Sequence, residues 1–133
     1  MQLFVQIHPQ SGARIPQSFE GLVEAMQGLA GMYFEMDGSF VWVDHSCSPP
    51  KQMDAMVYDC DGRLAYVEVK GHCSERQWQL LCRAMCELPL ELDQGTPLSA
   101  KIDNLLRVHE VGLGNWITAS QVAAQLACSD VRS

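Results

Sequence analysis

Two Asp-Gly dipeptides, each set between runs that alternate apolar and polar residues, constrain the fold of this chain more than any other feature. Asp37-Gly38 separates 32-MYFEM-36 from 39-SFVWVDH-45, and Asp61-Gly62 separates 53-MDAMVYD-59 from 63-RLAYVEVK-70. Asp-Gly supplies the positive backbone angles of a tight hairpin turn at little steric cost, and alternation buries one side of each strand. The pattern predicts two successive hairpins, interrupted by Ser46 to Lys51 with Pro49 and Pro50. Met1 to His8 alternates well enough for a short strand, ahead of a loop from Pro9 to Gln17.

Helical spacing appears where the alternation stops. Ser18 reads as an N-cap, followed by Phe19, Leu22, Val23, Met26 and Leu29 on one side, with Glu20, Glu24 and Gln27 on the other and Gly31 as the stop. Ser74 opens a second helix whose Trp78, Leu81, Cys82 and Met85 form one stripe, ending near Pro89; 88-LPLEL-92 reads as a further short strand. Residues 98–112 read as a helix, and 118-TASQVAAQLA-127 as another, opened by a Thr-x-x-Gln capping box. The expected fold is α+β: a mixed sheet of hairpins flanked by helices over residues 1–93, with a helical appendage over 94–133 packed on that core. Residues 117–133 also resemble the first half of a helix-turn-helix with its turn at Cys128 to Asp130, lacking the recognition helix.

With 47% apolar and 19% charged residues over 133 positions, one domain can build a core without disulfides. No apolar run is long enough to span a bilayer and the N-terminus lacks a signal-peptide pattern, so the expected location is cytoplasmic, with no membrane partner. The six cysteines contain no CxxC pair and read as reduced, buried thiols. His72, Cys73, Cys82 and Cys86 match no common zinc spacing. A net charge of −7 argues against a nucleic-acid coat protein, yet Lys51, Arg63, Lys70, Arg76 and Arg83 fall within one quarter of the chain, balanced there by five acids.

The charges in the second hairpin need a reason, because a buried charge costs several kcal/mol unless it is paired or metal-bound. A two-residue turn at Asp61-Gly62 would place Asp54 opposite Val69 and scatter them. Asp59-Cys60-Asp61-Gly62 also fits a three-residue loop with a glycine bulge, which pairs Asp59 with Arg63 and sets Asp54 directly across from Glu68. In that register Met53, Ala55, Val57, Ala65, Val67 and Val69 line an apolar face, and Asp54, Met56, Tyr58, Tyr66, Glu68 and Lys70 line the other. Opposed carboxylates repel, and a hard divalent ion with oxygen ligands relieves the repulsion.

A helix, a hairpin, a second hairpin carrying Asp54 and Glu68-Val69-Lys70, and then a helix containing Gln77 together resemble the PD-(D/E)xK nuclease superfamily, over about residues 18–93. The nearest likeness is to its small resolvase and phage nuclease branch. The resemblance implies a restriction-endonuclease-like fold and Mg²⁺- or Mn²⁺-dependent hydrolysis of DNA phosphodiesters. Asp54 and Glu68 would hold the metal, Lys70 would orient the attacking water and Gln77 would support the site. A helix-one glutamate, Glu24 here, adds a metal ligand in several branches. The expected partners are DNA and either a second copy or another protein.

Competing readings are plain. Asp54, Glu68 and Lys70 also read as a solvated ion cluster, Gln77 as half of a Ser74-x-x-Gln77 capping box, and Glu20 and Glu24 as a solvated helix face. The alternative function is a catalytically inactive relative that binds or regulates a protein through an acidic surface.

Overall fold

The computed structural model describes residues 2–90 and 100–132, with side chains up to Cys128. Along the chain run β1 (Leu3–Pro9), α1 (Phe19–Met26), β2 (Met32–Phe34), β3 (Ser39–Asp44), β4 (Lys51–Cys60), β5 (Arg63–Gly71), α2 (Glu75–Met85), α3 (Ala100–Leu105), β6 (Leu106–Glu110), β7 (Asn115–Ile117) and α4 (Ala119–Arg132). Among the described residues the seven strands form one sheet in the order β2-β3-β4-β5-β1-β6-β7. Every pairing is antiparallel, so the α+β class stands while the sheet is not the mixed one expected.

Local chemistry sets the element ends. The Ser18 hydroxyl accepts from Gly21 N at 3.0 Å and caps α1. Ser74 and Gln77 form a reciprocal capping box on α2, and Thr118 and Gln121 form another on α4, so both boxes read from sequence are present. Gly71 closes β5 at φ +104°, where a Cβ would lie 2.6 Å from the Gln52 carbonyl oxygen. Only glycine lets β4 and β5 approach so closely beside Asp54.

The tail departs from expectation. Residues 98–112 were expected to be helical, yet α3 ends at Leu105 and Leu106 to Glu110 form a strand against β1. The reason is tertiary: without β6, one side of β1 would keep its backbone donors and acceptors unpaired. Leu106 and Val108 point into the core while Arg107 and His109 alternate outward. The C-terminal quarter thus extends the sheet rather than forming a helical appendage, and the expected boundary at Gln94 to Pro97 lies outside the described residues. Leu88 to Leu90 form no strand, and the rest of 88-LPLEL-92 also lies outside them. No helix-turn-helix turn occurs at Cys128 to Asp130, because α4 continues through them to Arg132.

The helices cover one face of the sheet. Val5 and Ile7 of β1, Phe40 and Trp42 of β3, Met53 and Val57 of β4, Val67 and Val69 of β5 and Val108 of β6 are buried there. They pack with Leu22 and Met26 of α1, Trp78 and Leu81 of α2 and Val122 and Leu126 of α4. Trp78 Nε1 donates to the Ala119 carbonyl at 3.0 Å, joining α2 to α4. Among the described residues no helix is long and apolar enough to cross a membrane.

Candidate functional site on the open sheet face

The turn that positions the charged hairpin is the two-residue one. Cys60 pairs with Arg63, and Asp61 and Gly62 adopt φ +53° and +80°, both of the positive angles that such a turn requires. A register shift between Tyr58 and Asp59 then leaves Ala65 without a partner, and beyond it Tyr58 pairs with Tyr66, Met56 with Glu68 and Asp54 with Lys70. The bulge restores the face assignment expected from sequence, with Leu64 rather than Ala65 buried. It corrects the pairing: Asp54 lies across from a cation, not from Glu68.

Charge compensation on this face is internal. Lys70 Nζ lies 3.5 Å from Glu68 Oε1 and 4.6 Å from the centre of the Phe4 ring, and Gln52 Nε2 donates to Asp54 Oδ1 at 3.1 Å. Asp54, Glu68 and Lys70 line, with Ala55, Met56 and Tyr58, an open concavity of about 220 Å³. The repulsion that called for a divalent ion is therefore met by the protein's own lysine, directly opposite one carboxylate and beside the other.

The remaining expected site residues are elsewhere. Glu24 is exposed on α1, in the helical layer on the opposite side of the sheet. Gln77 is fully buried in that layer, where its Oε1 accepts from Ser74 N at 3.0 Å and its Nε2 donates to the Trp42 carbonyl at 2.8 Å. Among the described residues no group of three His, Cys, Asp or Glu side chains converges to hold a metal. Of the residues that the nuclease resemblance implies, Asp54, Glu68 and Lys70 share the concavity, with Glu68 engaged by Lys70, while Glu24 and Gln77 do not reach the face.

A polar cluster that sequence reading missed sits behind Gln77. Ser74 Oγ donates to Asp44 Oδ2 at 2.7 Å while accepting from Gln77 N, and Asp44 Oδ1 accepts from Ser46 N at 3.0 Å and from Ser46 Oγ. Burial would push the Asp44 carboxyl up, but the hydrogen bonds from Ser46 and Ser74, with Arg76 nearby, outweigh it and hold Asp44 below the usual carboxylate range. The cluster ties the end of β3 to the start of α2. The buried thiols are inert for the opposite reason: desolvation drives Cys82 well above its ordinary value and Cys86 to about 11.

The open face carries a second feature, a ladder of rings across its strands. Tyr58 and Tyr66 stack with centroids 4.4 Å apart, Tyr66 and His8 at 4.8 Å, and His8 meets the edge of Trp116 at 5.3 Å. His109 packs on Trp116 at 4.8 Å, and the Arg107 guanidinium lies 4.1 Å over the Trp116 ring. Partial burial, then the neighbouring Arg107 and His109, hold His8 below its ordinary value and favour the neutral ring. Near-parallel rings lying flat on the sheet could not bring their centroids so close, so Tyr58, Tyr66 and His8 stand on edge, face to face. Alternation places Tyr58 and Tyr66 on one face of the second hairpin, but the ladder needs β1, β6 and β7 in one sheet, which alternation alone does not reveal.

Compared with known proteins, the chain matches no family model, no curated protein and no solved structure. The likeness to the nuclease superfamily therefore rests on the quoted residues alone.

Proposed function

We propose that this protein is a binding or regulatory module that works through the open face of its sheet. One observation carries the reading: the side chains facing away from the helices are those that concentrate binding energy at protein interfaces, with Tyr33 65%, Trp116 47% and Phe4 43% exposed beside Tyr58, Met56 and Arg107. The face is near neutral, with Asp54 and Glu68 set against Lys70 and Arg107, so binding does not depend on the acidic surface that the net charge suggested.

The test is oxidative footprinting of the purified dilute protein and of the same protein in concentrated extract of its own cells. Trp116 and Tyr33 become protected in the extract, while Met36, on the β2–β3 turn and fully exposed, reacts equally in both. Equal oxidation of Trp116 and Tyr33 in the two samples refutes the reading.

A second reading, a metal-dependent DNA nuclease, is favoured by the shared concavity of Asp54, Glu68 and Lys70. Incubation with single-stranded, duplex and branched DNA in Mg²⁺ or Mn²⁺ separates the two: cleavage lost on Glu68→Ala supports the nuclease, and no cleavage with either metal removes it.

A further inference from the structure

Resting on that reading of the open face, we infer that its partner is a second copy of this chain, docked sheet on sheet about a two-fold axis. The upright rings argue first against the obvious alternative. A base-stacking platform for single-stranded nucleic acid presents ring faces to solvent, whereas Tyr66 spends both faces on Tyr58 and His8, and each of those spends one face on Tyr66. Edges and methyl groups suit packing against another side-chain layer, as between the two sheets of a sandwich.

Charge placement says which layer. Each protomer carries −7, so two copies repel except where the local surface is neutral. The centre of the open face is such a place, with Asp54 on β4, Glu68 and its counter-ion Lys70 on β5, and the Arg107 guanidinium on β6. That asymmetry is self-complementary under a two-fold axis, because an isologous contact pairs position i with j and j with i.

The register fixes the axis. Asp54 and Arg107 are three strands apart, about 14 Å, and four residues apart along the strands, about 13 Å. The midpoint between them is the Gln6 and Glu68 pair, so an axis there also brings each Glu68 close to its own copy, with its Lys70 at 3.5 Å as counter-ion. A two-fold axis lying in the interface there, perpendicular to the line joining Asp54 and Arg107, sets each Asp54 against the other copy's Arg107. The offsets along and across the strands are nearly equal, so the strands of the two sheets cross at roughly 90°, one of the two ways in which sheets pack. The same axis passes by Tyr58, which meets its own copy. Crossing at about 90°, two faces about 29 Å wide with strands about 18 Å long overlap over roughly 18 by 18 Å, about 320 Å² in plan, which lies below the roughly 600–800 Å² per partner of a standard interface and makes the dimer a weak one that forms only at high concentration.

The experiment is analytical ultracentrifugation of the full chain from about 1 to several hundred micromolar, with Asp54→Arg, Arg107→Glu and an equimolar mixture of the two. The wild type sediments as two chains at the upper concentrations. Each variant alone sets like charges together at both symmetry-related contacts and weakens association at least about a hundred-fold. The mixture restores both opposite-charge contacts and sediments as two chains again, which no misfolded variant can do. A wild type that stays a single chain throughout, singly substituted chains that dimerise unchanged, or a mixture that stays monomeric each overturn the inference. Were the purified chain monomeric while Trp116 and Tyr33 were still protected in extract, the face would bind a different partner and only this inference would fall. Loss of that protection too would remove the binding reading with it.

Discussion

Replacing Asp44 with alanine tests the only buried carboxylate among the described residues. Asp44 is 5% exposed and Ser74 3%, so the substitution leaves the Ser74 hydroxyl without its acceptor in a place that water does not reach. A stranded buried hydroxyl costs about 1–3 kcal/mol. Losing the charged acceptor of Ser46 N and Oγ at the exposed turn adds roughly 0.5–1 kcal/mol. The expected loss is about 2–4 kcal/mol, a large part of the roughly 5–15 kcal/mol that holds a domain of this size together. Asp44→Asn keeps an acceptor for Ser74 without the charge and should lose about half as much. Urea unfolding followed by the fluorescence of buried Trp42 and Trp78 reads both, as a lower midpoint at unchanged slope. Because the folded carboxyl is held below its ordinary value, its contribution is present above that value and is lost as pH falls through the folded one, so the gap between wild type and Asp44→Asn should close in acid. An Asp44→Ala unfolding free energy within about 0.5 kcal/mol of wild type would refute the proposed role.

Two further outcomes follow from groups whose titration the fold displaces. His8 is held below its ordinary value, so as pH falls the unfolded chain takes up a proton before the folded one does. Stability should fall as pH drops from about 7 towards 5, and His8→Gln should flatten that slope; parallel slopes would mean that His8 does not contribute. Exposed Cys60 and Cys128 should react with a thiol reagent at neutral pH, while Cys82 and Cys86 react only in denaturant; fast labelling of Cys86 in the native protein would contradict its burial.

The hairpins, both capping boxes and the first helix were legible because each is specified within a few residues: a turn dipeptide, a hydroxyl before an apolar stripe, a glutamine three positions on. The two faces of the charged hairpin were legible too, since alternation has a period of two and a register error of two residues leaves it intact. That same property hid the pairing. Whether Asp54 opposes Glu68 or Lys70 turns on the bulge at Ala65, which no local signal marks. Residues 106–110 misled for a different reason: 105-LLRVHEV-111 satisfies a helical stripe and a strand alternation equally, and the open side of β1, about a hundred residues away, decides between them. The Asp44 and Ser74 contact joins residues thirty positions apart, and no spacing rule spans that distance.

The position of β1 between β5 and β6 has a consequence for the order of events in folding. The hairpins β2–β3 and β4–β5 close over short loops, and the first strand can join them once β5 exists. Its other side waits for residues made about a hundred positions later, and closing so long a loop is entropically slow. During that interval Leu3, Val5 and Ile7 sit on an incomplete edge with one row of backbone groups unpaired, the geometry on which chains associate wrongly. The last strands to arrive therefore act as a cover for the first, and a nascent chain stalled before Leu106 is a species for which a chaperone would have work to do.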